Sequence, residues 1–263
     1  MPAEVALELP APPVHRNPKR PLIVRWGKKA RKRLNRFLSR YSLVPLDPVL
    51  DTADFPWLRR LEAAAPEIQK EAAQLLRNIG AIPPMNEMSP DHQRIAGDGG
   101  WRSFFLVGYG IRVEDNCARC PQTVRALSNV PGLVTALFSI LEPGMHVGRH
   151  SGVSKGILIA HLGLQVPRDG KGCWMEVEDQ RVEWRERGTF VFDDTFPHEV
   201  WNNTDEHRVI LLVQFLRPMG LLGRLVTRLL VQAVRISPYI QDARANMKLW
   251  ETRFRQSEAQ IAG

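Results

Sequence analysis

Cysteine is scarce: Cys117, Cys120 and Cys173 are the only three in 263 residues. Three thiols cannot build a disulfide framework, so nothing in their usage calls for an oxidising compartment. Cys117 and Cys120 form a C-x-x-C with no second pair, a weak zinc signal because a structural zinc takes four ligands. Long apolar runs are also missing. The most apolar helical stretch, GLLGRLVTRLLVQAVRI at 220–236, is interrupted by Arg224, Arg228 and Arg235, so no membrane-spanning helix is expected. The first fifteen residues lack the charged start and apolar core of a secretory leader. The expected compartment is the cytoplasm, with the inner membrane face as a peripheral station.

Acidic residues are absent from Arg16 to Arg40, a stretch holding eleven Lys or Arg with Trp26, Leu34, Phe37 and Leu38 among them. The whole chain carries a formal charge of +8, and this arm will seek a negative surface. An anionic lipid surface is the favoured partner, ahead of simple solvation; a nucleic-acid partner is not expected.

The chain divides by texture. Residues 1–20 are rich in proline and polar residues and read as a disordered tail. Residues 21–100 form a basic and helical region, with an amphipathic helix at 22–40 and a helical stretch at 54–80 that Pro66 divides and Gly80 closes. From Trp101 short apolar runs separated by Gly, Pro and Asn read as strands at 101–110, 134–141, 155–167, 173–178, 181–185, 189–193 and 207–216, with Glu178 and Asp179 near a tight turn and one helix at 122–130. Closely spaced strands without intervening helices favour a double-sheet jelly roll over a βαβ fold. Residues 219–263 turn helical again. Arg224, Arg228 and Arg235 cluster on one side of the helix at 221–236, and its leucines are expected to cover a sheet, with a membrane surface as the alternative.

Four histidines crowd the β region: His146, His150, His161 and His198. Neutral imidazoles suit Fe, Zn, Cu or Ni, and a jelly roll can bring distant strands to one mouth. Arg208 follows His198 by ten residues in HRVILLV. A guanidinium in an apolar strand offers a planar fork for a carboxylate. Metal and anion are thus both suggested, and neither is identified by spacing.

Larger pieces narrow the reading. GGWRSFFLVGYG, SILEPGMH, RHSG, AHLGLQVP, FVFDDTFPHEVWN and HRVILLV occur in order between Trp101 and Pro218. Together they resemble the catalytic domain of the aspartyl/asparaginyl β-hydroxylase family of Fe(II)/2-oxoglutarate dioxygenases. The resemblance implies a mainly β core, a cupin-like double-stranded β-helix spanning 101–218 with flanking helices. It implies iron(II) held by His150 and His198, with 2-oxoglutarate and O2 as co-substrates. Arg208 and Ser139 match residues that hold 2-oxoglutarate, His161 matches a histidine on the co-substrate's other side, and Trp101 a tryptophan at the site's edge. Asp193 and Asp194 are expected to support the site.

Two positions depart from the wider pattern. Gly152 stands where a carboxylate ligand is usual, leaving that place to water. Ile159 stands where animal members carry an arginine. The reaction implied is insertion of one oxygen atom into an unactivated C–H. The expected acceptor is a membrane lipid acyl chain of lipid A or ornithine lipid type. The alternatives are an Asp or Asn side chain of a peptide, and a non-catalytic binding protein on this scaffold. Residues 16–40 and 221–236 would supply the contact with an anionic membrane.

Overall fold

The computed structural model describes residues 28–88, 95, 99–168 and 170–262. The expected tail at 1–20 and the start of the basic arm lie outside the described residues. In chain order the elements are α1 (Lys28–Ser39), β1 (Val49–Leu50), α2 (Leu58–Ala63), α3 (Ala65–Leu76), α4 (Met85–Met88), β2 (Trp101–Gly108), β3 (Ile111–Arg112), α5 (Glu114–Arg119), α6 (Pro121–Leu127), β4 (Leu133–Leu141), β5 (His146–His150), β6 (Ile157–Gln165), β7 (Cys173–Val177), β8 (Gln180–Glu183), β9 (Thr189–Phe192), β10 (His198–Asn202), β11 (Arg208–Leu216), α7 (Leu221–Arg235) and α8 (Pro238–Ala262).

The strands form two antiparallel sheets. The larger has the order β1-β9-β6-β11-β4-β2-β3 and the smaller β5-β10-β7-β8, giving the expected double-stranded β-helix with helices at its flanks. Both faces of the larger sheet are buried, and alternation along each strand decides which residue meets which core. Ala136, Phe138 and Ile140 of β4, with Val209, Leu211 and Val213 of β11, pack in one cluster with Leu58, Leu61, Ile68 and Leu75 of α2 and α3 and Phe254 of α8. The alternate residues, Leu137, Leu141, Ile159 and Ile210, join Val147, Met175, Val177 and Val200 of the smaller sheet. Each fully buried Leu, Ile or Val in these layers stabilises the fold by roughly 1.5–3 kcal/mol. The second layer is the interior of the roll. Any polar side chain that shares its parity faces this interior between the sheets.

Several boundaries differ from the expectations. Pro66 divides the helical stretch in two as expected, sitting in the first turn of α3, where its missing N–H costs nothing, just after the break at Ala64. α3 ends at Leu76, and Gly80 lies in a short 3-10 turn, not at the helix end. α5 was not expected. Its first turn carries Glu114 and Asp115, which suit the positive helix start. β5 and β10 were not expected as strands either. Glu178 adopts φ 58° in the tight turn joining β7 and β8, as its position near a turn implied.

The last helices also depart from expectation. In α7 the residues that pack inward are Gly223 and Thr227, while Leu221, Leu222, Leu225 and Leu229 are exposed. These four leucines therefore do not cover a sheet. Among the described residues no helix is long and apolar enough to cross a membrane.

Candidate active site

His150 ends β5 and His198 begins β10, and the two are direct partners in the antiparallel register. Their rings lie 4.1 Å apart between centroids. A register shift produces this meeting. Val200 pairs with Val147 and His198 with His150, so three steps on β5 match two on β10. Simple alternation from the buried Val147 would turn residue 150 away from the core; the extra residue turns it back.

Each ring is fixed by its own chain. His150 Nδ1 lies 2.8 Å from the carbonyl of Gly148, and His198 Nδ1 2.9 Å from that of Phe196. A carbonyl only accepts, so each Nδ1 carries the proton and donates, leaving the Nε2 lone pair free for a metal. Burial lowers the pKa of His150, and burial followed by the nearby His150 lowers that of His198 to about 4. Both rings are neutral at pH 7, the state that ligates.

Among the described residues no group of three or more His, Cys, Asp or Glu is arranged to hold a metal, so the pair stands without a third protein ligand of those types. Gly152, the position where the sequence resemblance leads one to look for a third ligand, donates its N–H to the Asp194 carbonyl at 2.6 Å. A Cβ at 152 would run into the Asp194 carboxylate; that carboxylate fills the room a side chain would need. Asp194 Oδ1 is buried without a hydrogen-bond partner, and burial, then the charge of Asp193, raises its pKa to about 7. The neighbouring Asp193 has a structural job. It is fully buried, forms ion pairs with Arg217 and Lys155, and accepts from Thr195 N at 3.0 Å. It thereby holds the turn that delivers His198.

Arg208 is 3% exposed. Its Nε and Nη1 have no hydrogen-bond partner, and its guanidinium lies 4.8 Å from the centroid of Trp184. Burial lowers its pKa to about 10, which leaves it charged at neutral pH. Buried charged donors without acceptors cost several kcal/mol as an order of magnitude, a cost that an incoming carboxylate would relieve.

His161 is buried beside it. Trp184 Nε1 donates to His161 Nδ1 at 3.4 Å, so the neutral ring carries its proton on Nε2, another buried group without a partner. Burial, then the charge of Arg208, holds the His161 pKa well below its ordinary value. Ser139 is also buried and accepts at 3.0 Å from Trp101 Nε1. Trp101 is buried in the interior layer beside Ser139. Ile159 lies in that same layer.

The six candidate metal and co-substrate residues, Trp101, Ser139, His150, His161, His198 and Arg208, occur on strands of the two facing sheets. Trp184 went unnoticed. It stacks against His161 and Arg208 and belongs to the interior cluster, but one tryptophan among the charges of QRVEWRERG gives no sequence signal for that role. His146 stacks on Trp201 and meets Glu199, apart from the His150–His198 pair. Cys117 and Cys120 are buried free thiols.

A family model described as Aspartyl/Asparaginyl beta-hydroxylase matches residues 62–218. The chain is 38% identical over 215 residues to the ornithine lipid ester-linked acyl 2-hydroxylase of Rhizobium tropici, covering 82% of this chain and 76% of that protein. It is 30% identical over 175 residues to the aspartyl/asparaginyl beta-hydroxylase of Homo sapiens, covering 62% of this chain and 23% of that protein. Among solved structures, a prolyl-4-hydroxylase from Pseudomonas putida aligns with TM-score 0.38 at 17% identity, over 59% of this chain and 88% of that one. The family model spans more than half of the 263 residues and includes both histidines and the buried arginine: the chain belongs to the aspartyl/asparaginyl beta-hydroxylase family.

Proposed function

We propose that this chain is an Fe(II)- and 2-oxoglutarate-dependent hydroxylase whose acceptor is a membrane lipid acyl chain. The observation that carries the reading is the pairing of two neutral histidines, each with a free Nε2 lone pair, with a buried arginine whose Nε and Nη1 lack acceptors. His150 and His198 would hold the iron, which supplies the activation of O2 for C–H hydroxylation when bound with 2-oxoglutarate.

The remaining work falls to the chain. Arg208 receives the distal carboxylate of the co-substrate as a two-donor fork. Ser139 Oγ, already accepting from Trp101, has its own hydroxyl proton to give, and His161 offers Nε2–H. Trp184, Phe190 and Phe192 surround His161 and keep bulk water from the interior. Asp194, in the room left by Gly152, can accept a hydrogen bond from water beside the metal position.

The acceptor reading rests on two supports. The Rhizobium tropici relative is named for an acyl chain and covers most of this chain. Ile159, Phe190 and Phe192 give the interior an apolar character, which suits a hydrocarbon better than an acidic side chain. The test is succinate formation from 2-oxoglutarate with ornithine-lipid vesicles or with an Asp- or Asn-containing peptide, followed by mass spectrometry of the acceptor. Turnover stimulated by lipid, with a gain of one oxygen on an acyl chain, is expected. Stimulation by peptide alone would transfer the acceptor to Asp or Asn, and no turnover with either would favour a binding protein.

A further inference from the structure

The exposed apolar residues gather at one place. In α7, Leu222, Leu225, Leu229 and Ile236 share a stripe roughly opposite the inward-facing Gly223 and Thr227. Leu225 is 52%, Leu229 61%, Ile236 76% and the adjoining Leu221 80% exposed. The stripe therefore points away from the protein body along the whole helix. Arg224 and Arg228 lie along its flank, where long side chains can reach outward while the leucines sink.

The basic helix α1 is attached to the start of α7. Gly220 N donates to Tyr41 O at 2.9 Å, Leu43 N donates to Pro218 O at 2.9 Å, and a Cβ at Gly223 would come within 2.6 Å of Tyr41. Lys29, Lys32, Arg33 and Arg36 of α1 are exposed, and Leu43 in the connecting turn is 70% exposed. Both helices also hold the loop that leaves His150. Asn35 of α1 donates to Val153 O at 3.2 Å and accepts from Lys155 N at 3.0 Å, and Gly156 sits directly against Thr227 of α7.

We propose that α7 and α1 form a docking surface for an anionic lipid bilayer, and that docking brings the loop 151–156 beside His150 to the bilayer. An apolar stripe flanked by arginines, next to a helix bearing exposed cations, has the chemistry that complements the boundary between acyl chains and anionic headgroups. The inference deepens the lipid reading of the active site and rests on it for its purpose, though its test does not use turnover.

The experiment is co-sedimentation of the full chain, without iron or 2-oxoglutarate, with phosphatidylglycerol/phosphatidylcholine vesicles and with pure phosphatidylcholine vesicles. Binding to the anionic vesicles is expected, weakening with salt. The exposed double variant Leu225→Glu/Leu229→Glu should bind them at least about tenfold more weakly at an unchanged melting temperature, as should Lys32→Glu/Arg36→Glu, whereas Lys70→Glu on α3 should bind as the parent does. Equal binding by the leucine variant and the parent would overturn the proposal. So would a parent that ignores vesicles but forms dimers, by light scattering, that the leucine variant loses, because a second copy would then cover the face. Vesicle binding without hydroxylation would leave docking standing and remove the enzymatic reading; hydroxylation without vesicle binding would do the reverse.

Discussion

Arg208 and Arg217 are both buried, but their surroundings differ. Arg217 pairs with Asp193, while Arg208 has two nitrogens with no acceptor and an indole for a neighbour. A desolvated and unmatched charge is a cost that the fold carries for a ligand. Arg208→Met keeps much of the volume and removes that charge. It should melt at or above the parent temperature while weakening 2-oxoglutarate binding by about 100-fold or more, read as loss of the ligand-induced melting shift; a shift equal to the parent's would contradict the role. His198 supplies a pH signature. Its folded pKa is about 4 against an ordinary 6.5, so the unfolded chain binds the extra proton, and the stability this group contributes is present above pH 6.5 and lost as pH falls towards 4. By linkage the loss is at most roughly 3 kcal/mol. The difference in urea-unfolding free energy between parent and His198→Gln should shrink by about that much between pH 7 and pH 4, and a constant difference would contradict it. Gly152→Ala sets a Cβ against the Asp194 carboxylate. It should cost about 1–3 kcal/mol, and less when Asp194→Ala is present, because one overlap is then relieved.

At the scale of elements, the long strands were legible because β4, β6 and β11 are continuous apolar runs buried on both faces. β5 and β10 were not. HVGRH and HEVWN are five residues each, half polar, and β5 contains the register shift that breaks alternation. These are the strands that bear His150 and His198, so the local pattern was weakest where the site is built. The histidines themselves were found by the longer motif match. α6 shows another link invisible in sequence. Glu71 of α3 accepts from Gln122 N, Thr123 N and Thr123 Oγ1 at 2.7, 2.9 and 2.5 Å, so a buried carboxylate caps a helix some fifty residues away. Glu71→Ala leaves those donors unmatched and should cost about 2–4 kcal/mol. In a thermal melt a chain of this size should then unfold several degrees lower; an unchanged melting temperature would show that the cap carries little.

At the scale of the molecule, one large sheet separates two apolar layers. One is covered by α2, α3 and α8, and the other, facing the small sheet, holds the polar side chains of the site. The composition told of a chain with a basic arm. It could not tell that the leucines of α7 point outward, because an amphipathic helix has the same periodicity whether its apolar face meets a sheet or solvent. Only the packing of Gly223 and Thr227 distinguishes these. The two metal-ligating candidates and the anion-binding candidate meet at the interior layer, where Phe192 packs on both His161 and His198 and Trp184 on both His161 and Arg208; from this arrangement follows their joint occupancy by iron and 2-oxoglutarate. It is tested by adding Fe(II) and then 2-oxoglutarate to the protein without oxygen and recording visible absorption. A metal-to-ligand charge-transfer band is expected that needs both additions, is lost in His198→Ala and requires much more 2-oxoglutarate in Arg208→Met. No band in folded parent protein at saturating iron and 2-oxoglutarate would contradict it.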